Sequence, residues 1–165
     1  MTATLAFDPA VLRNAFSAFP SGVVAVAGLV DGVPVGLAAS SFTAVSLDPP
    51  LVSFSVANTS STWPVLRRAD HLGLSVLASH HDDVCRQLAG PAEQRFDDLQ
   101  LHVGDGGAVL LDDAVATFEC SIDREVEAGD HTLVLLALHS VDDLGGDALV
   151  FHRSTFPRLE HDPAA

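Results

Sequence analysis

The stretch Gly36-Leu37-Ala38-Ala39-Ser40-Ser41-Phe42-Thr43-Ala44-Val45-Ser46-Leu47-Asp48-Pro49-Pro50-Leu51-Val52 decides how this chain is read. Two apolar runs meet at a pair of serines, and an Asp-Pro-Pro break separates the second run from a third. Short apolar runs divided by turn residues read as successive strands. The same stretch carries possible chemistry. Small residues let backbone approach a flat ligand closely. Ser40, Ser41 and Thr43 offer hydroxyls and backbone N–H donors to a polar edge. Two readings stay open: a shelf for a planar, heteroatom-rich cofactor, or a Ser-rich bend between strands.

Working outward, residues 23–30 form an apolar, Val-rich run that reads as a buried strand, and Asp31-Gly32 is a hairpin signal. Asp8-Pro9 looks like an N-cap with Pro at the first helical position; Pro20-Ser21-Gly22 stops that helix. Residues 51–56 read as a strand. Asn58-Thr59-Ser60-Ser61-Thr62 precedes a short helix running through Arg68, residues 71–77 read as a strand, and residues 82–88 as a helix closed by Gly90-Pro91. Residues 92–107 read as loop, with Arg95-Phe96 as a basic–aromatic pair. Ala116, Phe118, Cys120, Ile122 and Val126 then alternate with Thr117, Glu119, Ser121, Asp123, Glu125 and Glu127, predicting a long half-exposed strand. Ala128-Gly129-Asp130 turns it, residues 131–141 return as its partner, and residues 148–151 form a last short strand. Hairpin signals without regular βαβ alternation predict a mainly β, antiparallel barrel with a few short peripheral helices. GxGxxG after a strand, a P-loop, GxSxG and HExxH are all absent.

The chain has 165 residues, enough for a single domain over 1–165 with a sizeable core. Its formal charge is −14 with eight Lys plus Arg, which argues against nucleic acid or an anionic membrane as partner. A phosphate-bearing ligand would need local donors to overcome that field. Cys85 and Cys120 have no CxxC or zinc spacing and read as small core residues. No basic n-region opens the chain, and the apolar run at 133–138 is too short to span a bilayer. A soluble, cytoplasmic protein is expected.

Four further segments are candidates for chemistry. Residues 58–62 place several hydroxyls before a helix start, where an anion is favoured, with Arg67 and Arg68 nearby; plain N-capping is the alternative. His131, after the Gly129-Asp130 turn, could meet a ligand ring or amide, or simply bond Asp130. Phe151-His152-Arg153-Ser154-Thr155-Phe156 holds one of few cations, suited to a specific partner or to neutralising nearby acids. His80-His81-Asp82-Asp83 is the densest potential metal cluster, but adjacent histidines diverge and no spaced third ligand is evident, so no metal site is predicted.

Taken in order, Phe19-Pro20-Ser21-Gly22-Val23, the Ala39-Ser40-Ser41-Phe42-Thr43 block with Ser46-Leu47-Asp48-Pro49-Pro50-Leu51-Val52, Ser60 to Thr62, Gly129-Asp130-His131 and residues 151–156 resemble the flavin reductase family, over about residues 10–160. These are short-chain NAD(P)H:flavin oxidoreductases with an FMN-binding split barrel, commonly reductase components of two-component flavin monooxygenases. The resemblance implies an antiparallel split β-barrel, FMN or FAD as cofactor, and NADH or NADPH as hydride donor. It also implies a homodimer and a partner monooxygenase. Ala39, Ser40, Ser41, Phe42 and Thr43 would line the isoalloxazine. Ser60, Ser61 and Thr62 would hold the phosphate and ribityl arm, with Arg95 and Phe96 near the flavin. His131 would be the catalytic residue, meeting the nicotinamide nucleotide with Arg153 and Ser154. The chain departs from the family at Leu37-Ala38, often Met-Thr, and in having Phe151 and Phe156 where Tyr is common. A flavin-binding electron carrier, or an FMN-dependent oxidase without NAD(P)H oxidation, is the alternative function.

Overall fold

A computed structural model describes residues 7–160. In chain order the elements are α1 (Pro9–Phe16), β1 (Ser21–Gly22), β2 (Val24–Val30), β3 (Val33–Ala39), β4 (Thr43–Leu47), β5 (Pro50–Ala57), α2 (Trp63–Leu66), β6 (Leu72–Val76), α3 (Asp82–Leu88), β7 (Leu101–Val103), β8 (Val109–Leu111), β9 (Ala116–Ala128), β10 (His131–Asp143) and β11 (Val150–Phe151). The protein is mainly β, as the turn pattern predicts.

Seven strands form one sheet in the order β3-β2-β6-β9-β10-β5-β4, and its pairings are antiparallel. The two edge strands, β3 and β4, are consecutive in sequence and joined only by residues 40–42. A link that short spans about 14 Å at full extension, so the sheet curls far enough to bring the end of β3 within that distance of the start of β4. No pairing closes β3 onto β4 among the described residues, and the sheet stays open at the Ser40-Ser41-Phe42 step.

β2 shows why residues 23–30 are continuously apolar. Val24 and Val26 point into a cluster with Phe54, Leu72, Leu74, Cys120 and Leu136, while Val23 and Ala25 point the other way, into one with Leu77, Leu88, Leu111 and Leu149. A strand buried on both faces needs no polar alternation. The β2–β3 hairpin turns at Asp31 and Gly32, both at positive φ, which suits a tight two-residue loop.

Three expectations need correction. The segment 92–107 is not all loop: β7 lies within it and pairs with β8. The first helix ends at Phe16, ahead of the Pro20-Ser21-Gly22 stop. The period-two pattern of β9 fails beyond Asp123. Leu136 pairs with Ile122 but Leu135 with Arg124, so Asp123 is an extra residue. Such a bulge reverses which side chains face inward; Val126 lies 41% exposed and Glu125 is half-buried.

Candidate functional site

The open seam between β3 and β4 borders a cleft of about 410 Å³, lined by residues 37–41, residues 55–57, Ser60, Thr62, Leu88, Ala89, Arg95 and His131. Ala39, Ser40, Ser41, Ser60, Thr62, Arg95 and His131, drawn from positions 39 to 131 of the sequence, thus meet in one place. The volume is in the range of small-molecule sites.

Arg95 ties three walls together. Its Nη1 donates to Gly36 O and to Thr62 Oγ1, each at 2.8 Å, and its Nε donates to Gly90 O at 2.9 Å. The approach depends on Gly36. A Cβ there would sit 2.6 Å from Val26 O and 2.7 Å from Phe96 Cζ, so the Arg95-Phe96 pair closes on β3 only where β3 has no side chain. Among the described residues no carboxylate pairs with Arg95. A cation facing only neutral oxygens remains available to an anion.

Hydroxyls complete that wall. Ser60 Oγ accepts the Trp63 N–H at 3.2 Å, and Thr62 Oγ1 accepts from Arg95, so each hydroxyl proton is left to donate elsewhere. The expected helix-terminus contribution is not supported. α2 is four residues long, Thr62 already has helical backbone, and its side chain makes no cap. One turn carries little dipole, so the donors this wall offers are the hydroxyls and Arg95.

The β9–β10 hairpin presents His131 at the same cleft. Its Nδ1 lies 2.8 Å from Asp130 Oδ1. That hydrogen bond, with the imidazole charge, holds the Asp130 carboxyl below its usual range. A ring anchored through Nδ1–H leaves Nε2 for a ligand. Asn58 braces the turn: its N–H donates to Asp130 O, its Nδ2 to Gly129 O, and its Oδ1 accepts from Thr132 Oγ1.

Other expected residues fall elsewhere. Ser41 does line the cleft, but its hydroxyl donates to Ser55 O and accepts from Ser55 N, so it clasps β5 and is not a donor to a ring edge. The Phe42 ring stacks on Phe118, centroids 5.8 Å apart, and lines an apolar groove of about 520 Å³ with Ala44, Leu47, Leu51, Leu138 and Val141. Phe42 is absent from the lining of the cleft that Ser41 borders. Thr43 and Ser61 are exposed and outside the cleft, and Phe96 packs into the second core cluster. Arg153 and Ser154 form an exposed turn at positive φ, apart from the cleft lining. Sequence reading missed Ser55, Ala57, Leu88 and Ala89. Ser53 and Ser55 at period two inside an otherwise apolar strand were the available signal.

The histidine cluster does gain a third member, Asp113, with candidate ligand atoms within 4.8 Å of one another. Yet buried His81 accepts the Ala78 N–H at Nδ1 (2.9 Å), so its proton sits on Nε2 and points to Asp113 Oδ2 (2.9 Å). The tautomer follows from that donor, and it occupies the lone pair a metal would need. The cluster therefore reads as a latch between the start of α3 and the loop holding Asp113.

Comparison with known proteins adds to this geometry. The family model "Flavin reductase like domain" matches residues 16–160. A Rhizobium meliloti (strain 1021) protein named "Probable flavin reductase" is 38% identical over 162 residues, covering 96% of this chain and 52% of that protein. This chain therefore spans about half that relative's length. The Streptomyces globisporus C-1027 NADH:FAD oxidoreductase SgcE6, solved with NAD and FAD fragments, superposes with a TM-score of 0.88 at 33% identity, covering 98% of this chain and 99% of that one. BorF, the flavin reductase component of a bacterial two-component tryptophan halogenase, gives 0.85 at 34% identity, covering 94% and 100%.

Proposed function

The chain belongs to the flavin reductase-like domain family, and from that premise we propose that it transfers hydride from a reduced pyridine nucleotide to a flavin and supplies the reduced flavin to an oxygenase-type partner. The observation that carries the reading is the cleft at the open seam, where flat backbone at residues 37–40 adjoins Ser60, Thr62 and an Arg95 without a carboxylate partner. Those residues fit an isoalloxazine with a phosphate-bearing arm. In this reading the open sheet is a split barrel whose gap is the flavin seat.

A bound flavin supplies the electron-accepting ring, as redox cofactors do. The chain's part is to bind and orient. Backbone at Ala38, Ala39 and Ser40 flanks the ring, while Ser60, Thr62 and Arg95 neutralise the phosphate. Ser61, Thr43 and Phe42 contribute through backbone position. His131 Nε2 orients the nicotinamide carboxamide, with Asp130 fixing the tautomer. Arg153 and Ser154 meet the nucleotide's outer end. No side-chain nucleophile is required, and positioning supplies the rate.

A homodimer is part of this reading. The Phe42 groove adjoins the unpaired β4 edge, where Leu47 is 97% and Val45 47% exposed. Apolar surface of that kind suits a second copy, and Leu47→Asp is expected to convert dimer to monomer by light scattering. No helix among the described residues is long and apolar enough to cross a membrane. Two unpaired thiols, Cys85 and Cys120, favour a reducing compartment such as cytoplasm.

Stopped-flow mixing tests the activity. Flavin absorbance should bleach on adding NADH or NADPH to the flavin-loaded protein. A protein that binds flavin but bleaches with neither nucleotide would be a carrier, and the reductase reading would fall.

A further inference from the structure

The bulge in β9 turns a carboxylate toward the cleft's supporting wall. Alternation from Ala116 would leave Glu125 on the polar face with Glu119 and Asp123, but the extra residue at Asp123 reverses it. Glu125 Oε1 accepts the Trp63 indole N–H at 2.9 Å, and Oε2 accepts from Arg67 Nη2 at 2.5 Å. The Arg67 bond above all, opposed by burial and helped to a lesser degree by the Trp63 bond and the Arg67 charge, holds the Glu125 carboxyl below the usual carboxylate range.

Trp63 connects this carboxylate to the cleft. Its ring is buried and packs edge-on against Phe54 with centroids 5.5 Å apart. Its backbone N–H donates to Ser60 Oγ, and its neighbour Thr62 accepts from Arg95. Glu125 itself is outside the cleft lining.

We propose that Glu125 is a positioning residue for the flavin site: by fixing the Trp63 indole and Arg67, it sets the Ser60 and Thr62 hydroxyls in the arrangement that receives the flavin's phosphate-bearing arm. The inference rests on the flavin reading above. A plain stabilising role would act on folding alone, since an ion pair that is half exposed on the Arg67 side contributes little by itself. A positioning role instead predicts a graded effect on flavin affinity, ordered by how much of the Trp63 anchor each substitution keeps.

The chain's single Trp makes the test direct, because all tryptophan fluorescence comes from Trp63. FMN titration would be followed by quenching of that emission and by flavin fluorescence. Glu125→Ala, which removes both acceptors, is expected to weaken FMN about tenfold and red-shift the emission. Glu125→Gln and Arg67→Ala each keep an acceptor for the indole and should weaken FMN only about threefold. The turnover rate at saturating flavin should stay within about twofold of wild type in all three, so that KM for flavin moves and kcat does not. Equal FMN affinity in folded Glu125→Ala and wild type would overturn the proposal. If Glu125→Ala does not fold, unchanged affinity in both Glu125→Gln and Arg67→Ala would do the same. Failure of wild type to bind FMN would instead count against the flavin reading, and the two outcomes are distinct.

Discussion

At the scale of single residues, Arg95 and His131 face the same cleft with different duties. Arg95 donates to three neutral oxygens and, among the described residues, pairs with no carboxylate, so its charge is available to an anion while its bonds hold the cleft walls. Replacing it with Ala removes both. Flavin affinity should fall at least tenfold, because a charge-assisted contact contributes about 1.5–3 kcal/mol. Folding stability should also fall by about 1–3 kcal/mol, because Gly36 O and Gly90 O lose their donor. Flavin titration and urea unfolding read the two separately. Among the described residues the exposed His131 ring has one side-chain partner, Asp130. His131→Ala is expected to raise KM for the pyridine nucleotide or lower hydride transfer, leaving flavin affinity within about twofold. Kinetics identical to wild type would remove His131 from the site.

At the scale of elements, the β9–β10 hairpin carries both His131, near its turn, and Glu125, beyond its bulge. Asn58 binds that turn by three hydrogen bonds from outside the hairpin. Asn58→Ala keeps the backbone bond to Asp130 and loses two, so a loss of about 1–2 kcal/mol is expected by denaturant titration. Nucleotide KM should shift in the same direction as for His131→Ala. The Glu125–Arg67 pair gives a pH dependence whose sign is fixed. The Glu125 carboxyl is lowered in the folded protein. Its contribution is therefore present above the unfolded carboxylate pKa and lost as pH falls through the lower folded value. The stability gap between wild type and Glu125→Gln should hold at neutral pH and close in acid. A gap unchanged down to pH 3 would contradict it. These elements also mark what sequence reading reaches. Local signals placed α3 at Asp82–Leu88, because acids open it and Gly90-Pro91 follows. They placed the Asp31-Gly32 hairpin because an Asp-Gly pair suits a two-residue turn at positive φ. They could not place the bulge, since the extra residue at Asp123 is defined only by the pairing of its neighbours Ile122 and Arg124 with Leu136 and Leu135 on another strand. They could not foresee that the Ser41 hydroxyl would be taken by Ser55. The serine block was visible as a site; which of its atoms remain free is a tertiary property.

At the scale of the whole molecule, the charge of −14 sets long-range behaviour against the local chemistry of the cleft. In the proposed function the ligands, flavin phosphates and pyridine nucleotides, are anions, so the overall field would repel both as they approach, while Arg95 and the Ser60 and Thr62 hydroxyls would attract only at contact. Screening acts unequally on these two parts. The Debye length falls from about 30 Å at 0.01 M salt to about 10 Å at 0.1 M, which removes most of the distant repulsion. Contacts made by a half-buried guanidinium are screened far less. Salt should therefore speed this protein, opposite to enzymes that steer substrates by complementary charge. The expected outcome is a rise in kcat/KM for the nucleotide of about two- to tenfold between 0.01 and 0.2 M NaCl, with kcat nearly constant because the bound geometry does not change. A steady fall over that range would mean that a positive local potential, centred on Arg95 and reaching past the cleft mouth, outweighs the acidic surface even at a distance. Arg95→Ala then discriminates: if the long-range field governs encounter, the variant keeps the same upward salt slope at lower affinity; if Arg95 governs it, the slope changes sign between the two proteins.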